Sequence, residues 1–303
     1  MIKRMMGLVF LGLLISSAAA GQDKSKYYTI QHADEFSLDW VSFYETCDER
    51  TAKARKDLPH HLDLAYGDHP KQKLDLYLPK EKPVQAPTFL FLHGGGMREG
   101  DRAHYGYIAV PFAANGIITA VASYRLTGQG FHYPDQPEDV AAAVRWIHRN
   151  IEKYGGDPDL IYVGGHSAGA ILSAYVGVRG TWREKMGPPK RLIKGVAPVS
   201  GPYDLRAVRR SGEIDGYVPD PELRAEASPI LNVDNPVPRA VVAFGSLEPF
   251  EATSRELVDN MKAKGVKAEL VVLKDENHDQ TALSLGDQDS VLFLAVLKMI
   301  QAR

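Results

Sequence analysis

Apolar positions along this chain change period repeatedly, and the changes predict an alternation of strands and helices. His61 to Tyr66 and Lys73 to Leu78 read as two short strands joined by a turn at Gly67-Asp68-His69-Pro70. Continuous apolar runs at Phe89 to Leu92, Ile117 to Ala122, Leu160 to Val163, and residues 195–199, 240–244 and 268–273 read as buried strands. Between them, residues 103–115, 137–154, 168–178, 251–264 and 287–301 read as helices. In the second of these, Val140, Val144, Ile147 and Ile151 share one face, and Pro137 suits a first turn. Buried strands alternating with helices predict an α/β class: a mostly parallel sheet covered on both faces.

Two regions break the pattern. Residues 21–60 are polar with scattered aromatics, and Trp40, Phe43 and Tyr44 stand at helical spacing. They predict an N-terminal arm whose helix packs on a main domain of residues 61–303. Residues 201–238 carry Pro202, Pro219, Pro221, Pro229, Pro236 and Pro238, and predict a cap or lid inserted over the site. The first 20 residues have another character: Lys3 and Arg4, an apolar run to Ile15, then Ser16-Ser17-Ala18-Ala19-Ala20. This is the pattern of a secretory leader cleaved near Ala20, with an apolar run too short to span a bilayer comfortably. Export to the periplasm or outside the cell is the expectation, with no stable membrane anchor. Loss of Lys3 and Arg4 would take the net charge from −2 to −4. That balance, with no long basic run, argues against a nucleic-acid partner.

The 303 residues are 44% hydrophobic and 24% charged, enough to bury a full core. Cys47 is the only cysteine, so no internal disulfide can support an exported chain. It lies among Glu45, Thr46, Asp48 and Glu49 without a paired histidine signature, which favours an inert thiol. His60 and His61 are adjacent, so in a strand they face opposite sides, and no metal site is evident.

The most informative stretch is Gly165-His166-Ser167-Ala168-Gly169, between a predicted strand and a predicted helix. A serine there sits on a strained turn whose neighbours two residues away must be small. Ser167 is therefore a candidate nucleophile, and needs a base, an orienting acid and an oxyanion hole. His278 follows the last predicted strand and is the candidate base. Glu248 lies just beyond strand 240–244 and is the candidate acid, with Asp204 its main competitor and Glu251 better suited to a helix N-terminus. His93-Gly94-Gly95-Gly96 follows strand 89–92. Its glycines allow close backbone approach, so the N–H groups of Gly95, Gly96 and Ala168 are the expected oxyanion donors. A phosphate loop is the rival reading, but no Gly-Lys-Ser/Thr follows. Met97, His104, Tyr105, Tyr203 and Phe250 flank these motifs and are candidate substrate contacts.

With these residues in place the chain resembles α/β-hydrolase esterases, of the hormone-sensitive-lipase-like and bacterial carboxylesterase and feruloyl-esterase-like groups. The resemblance covers about residues 60–303 and extends to Leu74 to Pro79, Ser123 to Leu126, Pro137 to Val140 and Gly155 to Pro158. The arm around Trp40, with Tyr66-Gly67, also resembles arylformamidases. Two departures stand out: the acid is Glu where Asp is commoner, and position 97 is Met where an aromatic is frequent. The resemblance implies a cofactor-free serine hydrolase acting on a small-molecule carboxylic ester through an acyl-enzyme. An amidase, formamidase or peptidase using the same three residues is the enzymatic alternative. A non-catalytic binding protein of the same fold is the alternative from another class, although every catalytic role has an occupant.

Overall fold

The computed structural model describes residues 39–180, 192–208, 212–234 and 238–302. The proposed leader and residues 21–38 of the arm lie outside the described residues. One eight-stranded sheet organises the molecule, in the order β1-β2-β4-β3-β5-β6-β7-β8. The strands are β1 (His60–Ala65), β2 (Lys73–Tyr77), β3 (Ala86–Leu92), β4 (Ile118–Ala122), β5 (Gly156–His166), β6 (Ile193–Val199), β7 (Arg239–Gly245) and β8 (Ala268–Leu273). β1, β2 and β4 pair antiparallel, whereas every pair from β4 through β3 to β8 is parallel. Parallel strands all end on the same edge, so the loops after β3, β5, β6, β7 and β8 converge there.

Helices α1 (Trp40–Asp57), α2 (Ala109–Ala114), α3 (Asp135–Asn150), α4 (Ala168–Val178), α5 (Gly212–Tyr217), α6 (Glu251–Ala263), α7 (His278–Ser284) and α8 (Val291–Gln301) surround the sheet. Two apolar layers result, one on each face of the sheet. On one side Leu90, Val163, Val196 and Val242 meet α3, α4 and α6. On the other Phe89, Phe91, Ala197 and Val241 meet α1, α2 and α8. Helix α4 is buried at every position, which its small side chains allow. Helix α1 buries Phe43, Tyr44, Cys47, Thr51 and Ala54, and Arg50 pairs with Asp287 at 2.9 Å.

Several boundaries differ from the sequence reading. Residues 103–115 are not one helix but two 3-10 turns, Arg102–His104 and Gly106–Ile108, followed by α2. Pro111 has no N–H, and its ring would clash in the middle of a continuous helix. In addition, a side chain at Gly106 would collide with the Tyr77 ring. α3 gives way to a 3-10 turn over Ile151–Tyr154, which stops at Gly155 with φ 84°. β5 runs from Gly156 through His166, far beyond its four-residue apolar run, because Leu92 pairs Gly165 and Val199 pairs His166. The segment between predicted strand 268–273 and predicted helix 287–301 contains α7. Its capping box pairs the Asn277 side chain with the Gln280 N–H, and the Gln280 side chain with the Asn277 N–H. The last helix accordingly starts at Val291, capped by Ser290.

Candidate functional site

Five loops at the C-terminal edge of the sheet assemble the site. After β5 the chain reverses at Ser167, with φ 55° and ψ −115°. Such a conformation costs on the order of 1–3 kcal/mol and persists only where the surroundings enforce it. Here they do: the Ser167 N–H donates to the Val199 carbonyl at 2.9 Å, and its own carbonyl accepts from Ala170 and Ile171 in the first turn of α4. A side chain at Gly165 would collide with the Gly169 backbone, and one at Gly169 with the Leu92 and His93 carbonyls. The two glycines that frame the motif are therefore steric requirements of the turn.

The loop after β3 lies directly against this turn. A Cβ on Gly94 would lie 3.2 Å from the Ser167 Cβ and the His166 Nδ1. Gly95 and Gly96 adopt φ of 106° and 59°, and the Gly95 carbonyl accepts from the Arg98 and Glu99 N–H groups at 2.9 and 3.0 Å. This small turn is anchored from behind. The His93 ring stacks on Tyr124 with centroids 4.4 Å apart, and Tyr124 Oη donates to the His93 carbonyl at 2.9 Å. Burial lowers the His93 pKa to about 4, so the ring is neutral and its Nδ1–H donates to the Gly94 carbonyl at 2.6 Å. Thr127 N–H holds the Met97 carbonyl at 2.8 Å, and Lys71 Nζ holds the Gly100 carbonyl at 2.9 Å. Farther along, Arg102 Nε meets the buried Asp75 at 2.9 Å. Breaking a buried pair of this kind typically costs about 3–5 kcal/mol. The motif stretches around Asp75 and Ser123-Tyr124-Arg125 thus act as a brace for this loop.

The loops after β7 and β8 bring Glu248 to His278. Glu248 Oε1 accepts from His278 Nδ1 at 2.5 Å, with both side chains almost fully buried. The second oxygen, Oε2, accepts from the Gly245 N–H at 2.5 Å and from Ser200 Oγ at 2.7 Å. Three donors therefore fix one carboxylate. With Nδ1 donating, a neutral His278 ring leaves Nε2 unprotonated. Behind it, His166 packs with ring centroids 4.4 Å apart, and its Nε2–H donates to the His278 carbonyl at 2.9 Å. Thr281 Oγ1 donates to the same carbonyl at 2.8 Å. Burial, and then the neighbouring His278, hold the His166 pKa well below the usual imidazole value.

Ser167 and His278 both open on one cavity of about 530 Å³. Gly95, Gly96, Ala168, Met97 and Phe250 line it, as do Ile214 and Glu213 from the 201–238 insertion. Three expected substrate contacts do not reach this wall. His104 turns to Asp48, with Nδ1 2.6 Å from Oδ1. Tyr105 is buried between Phe43 and Phe91, and Tyr203 is fully buried with its N–H on Thr253 Oγ1 at 2.9 Å. Asp204 lines the cavity, but its carboxylate is taken by Arg206 at 2.9 and 3.0 Å, which holds its pKa down. It is not the carboxylate on His278. Sequence reasoning missed Trp40, which lines the cavity from α1, and Ser200, whose only local signal is its place just after β6.

The model of the BD-FAE family matches residues 74–250, more than half of the chain. The chain belongs to the BD-FAE family. Among curated proteins, this BD-FAE chain is 29% identical to esterase LipC of Mycobacterium tuberculosis over 76% of its own length and 62% of the relative's. It is 27% identical to the kynurenine formamidase of Danio rerio over 91% of its own length and 93% of the relative's. The chain spans about three fifths of the length of the mycobacterial esterase and of the plant methylesterases that it matches. Among solved structures, phosphonate-inhibited esterase B of Lactobacillus rhamnosis superposes with a TM-score of 0.70 at 20% identity. That match covers 88% of this chain and 96% of the other. The fold is the α/β-hydrolase fold, as the resemblance implied.

Proposed function

We propose that this protein hydrolyses carboxylic esters through an acyl-enzyme, with Ser167 as nucleophile, His278 as base and Glu248 as orienting acid. The observation that carries the reading is the 2.5 Å contact between Glu248 Oε1 and His278 Nδ1 beside the cavity that Ser167 enters. Ser167 Oγ attacks the ester carbonyl and its proton passes to His278 Nε2. The oxyanion lies against the N–H groups of Gly95, Gly96 and Ala168, the last being an orphan donor of the first turn of α4. His278 then returns the proton to the leaving alcohol as the C–O bond breaks. Water, deprotonated by His278, attacks the acyl carbon and releases the acid and Ser167. Glu248 holds the Nδ1–H tautomer and stabilises the imidazolium.

Ser167→Ala tests this reading directly. Hydrolysis of p-nitrophenyl acetate is expected to fall by about 10⁴-fold or more, with loss of fluorophosphonate labelling. Full turnover by the variant would refute it. The formamidase relative matches nearly the whole chain, which favours N-formyl aryl amides as a second substrate class for the same residues. Rates on phenyl formate and formanilide, measured with one enzyme preparation, separate the two readings.

A further inference from the structure

The cavity wall beside His278 differs from the rest of the cavity. Trp40 stands edge-on to the His278 ring, with centroids 6.4 Å apart and planes at 85°. Phe250 lies on the same imidazole at 5.7 Å and 54°. Both rings line the cavity. Trp40 is held in place from behind by Phe43 at 5.8 Å and Tyr44 at 6.2 Å, and Asp39 caps the start of its helix. Trp40 is therefore set before any substrate arrives, which reduces the ordering loss on binding. By contrast, the wall formed by Met97, Ile171, Val208 and Ile214 is aliphatic.

The chemistry of the proposed reaction assigns these walls different parts. His278 must protonate the leaving oxygen, so that oxygen lies within hydrogen-bond reach of Nε2 in the collapsing intermediate. Whatever the oxygen carries begins beside the His278 ring, on which both Trp40 and Phe250 border. We infer that the site selects esters whose alcohol portion is an aromatic group, aryl or arylmethyl, seated between Trp40 and Phe250. Trp40 comes from α1, outside residues 74–250 that the family model matches, so this half of the wall is supplied by the first helix among the described residues. The inference rests on the ester-hydrolase reading. It adds the substrate class on the leaving-group side and names Trp40 as a specificity-determining residue.

Benzyl acetate and cyclohexylmethyl acetate share their acyl group and have leaving alcohols of similar size and acidity, so their kcat/KM ratio reads aromatic recognition alone. Aromatic pairing predicts a ratio of about two- to tenfold in favour of benzyl acetate. In Trp40→Leu the ratio falls toward unity, and in Trp40→Phe most of it returns. Independently of any variant, benzyl alcohol should inhibit the wild-type enzyme at lower concentration than cyclohexylmethanol. Equal kcat/KM values in the wild type would overturn the inference, as would a preference that survives Trp40→Leu. Faster hydrolysis of an acetylated methyl glycoside than of benzyl acetate would also overturn it, because the wall would then be a sugar platform. Hydrolysis of none of these esters would instead defeat the ester-hydrolase reading itself.

Discussion

Glu248→Gln removes one charge and one acceptor from the site while keeping the shape of the side chain. In the native arrangement Oε1 faces the His278 Nδ1–H, and Oε2 faces the Gly245 N–H and Ser200 Oγ. A glutamine has one acceptor and one donor end, so one face must change. If the amide nitrogen faces Gly245, two N–H groups oppose each other in a buried place, and the unsatisfied donor costs about 1–3 kcal/mol. If it faces His278, the imidazole can answer by moving its proton from Nδ1 to Nε2. That tautomer satisfies the hydrogen bond but leaves Nε2 unable to accept the Ser167 proton. The second arrangement is therefore favoured, and kcat falls by about 10³–10⁴-fold, the scale of tautomer loss in a serine-hydrolase triad. KM should change little, because Glu248 does not line the cavity. Steady-state hydrolysis of p-nitrophenyl acetate by Glu248→Gln and Asp204→Asn measures the contrast. Asp204 is engaged by Arg206, so its variant should lose less than about one hundredth as much. A larger loss of kcat in Asp204→Asn would refute the assignment of the acid.

Other expectations follow from the loop glycines and from Asp279. A Cβ on Gly95 would collide with the Glu99 backbone carbonyl, whereas the nearest atoms to one on Gly96 belong to the flexible Glu213 side chain. Gly95→Ala should thus lower kcat by about 10²–10³-fold, the scale of a lost oxyanion donor, and Gly96→Ala by at least about tenfold less; the reverse order in steady-state kinetics would argue against the loop geometry. Burial raises the Asp279 pKa from 3.8 to about 7. The folded chain therefore holds this proton more tightly than the unfolded chain. The stability it contributes is present below about pH 4 and is lost as pH rises to about 7. The whole shift corresponds to about 4 kcal/mol, and partial exposure reduces this to about 1–2 kcal/mol. Asp279→Asn should raise the melting temperature by about 2–3 °C near pH 8 but little near pH 4, and an equal change at both pH values would contradict the argument.

The parts of the site that are local in sequence were legible there. Ser167, Gly94 to Gly96 and His278 each sit one turn beyond a strand, and a strand end at the C-terminal edge is where such groups converge. The Glu248 loop was legible for the same reason, but the choice between Glu248 and Asp204 was not. Both follow strands, and the contact of Glu248 with His278 Nδ1, with Asp204 held instead by Arg206, is what separates them. His104, Tyr105 and Tyr203 show the opposite failure. They are neighbours of motif residues in sequence, yet the 3-10 turns after Asp101 and the bend after Ser200 turn them into the core or toward α1.

Trp40 marks the limit of reading by periodicity. The spacing of Trp40, Phe43 and Tyr44 defines an apolar face, and burial of Phe43 and Tyr44 satisfies the hydrophobic argument without reference to any site. Where that face docks is decided by long-range contacts: Thr51 Oγ1 on the His104 carbonyl at 2.9 Å, and Arg55 Nε on Tyr77 Oη at 3.1 Å. Those contacts place the first residue of α1 against His278. The helix thus serves two purposes with one sequence pattern, since its interior residues cover the sheet and its first residue lines the cavity. Loss of the α1 contacts at Thr51 and Arg55 would therefore move Trp40 without touching Ser167, Glu248 or His278. The leaving-group wall is consequently the part of this site most open to change by substitutions remote from the reacting atoms.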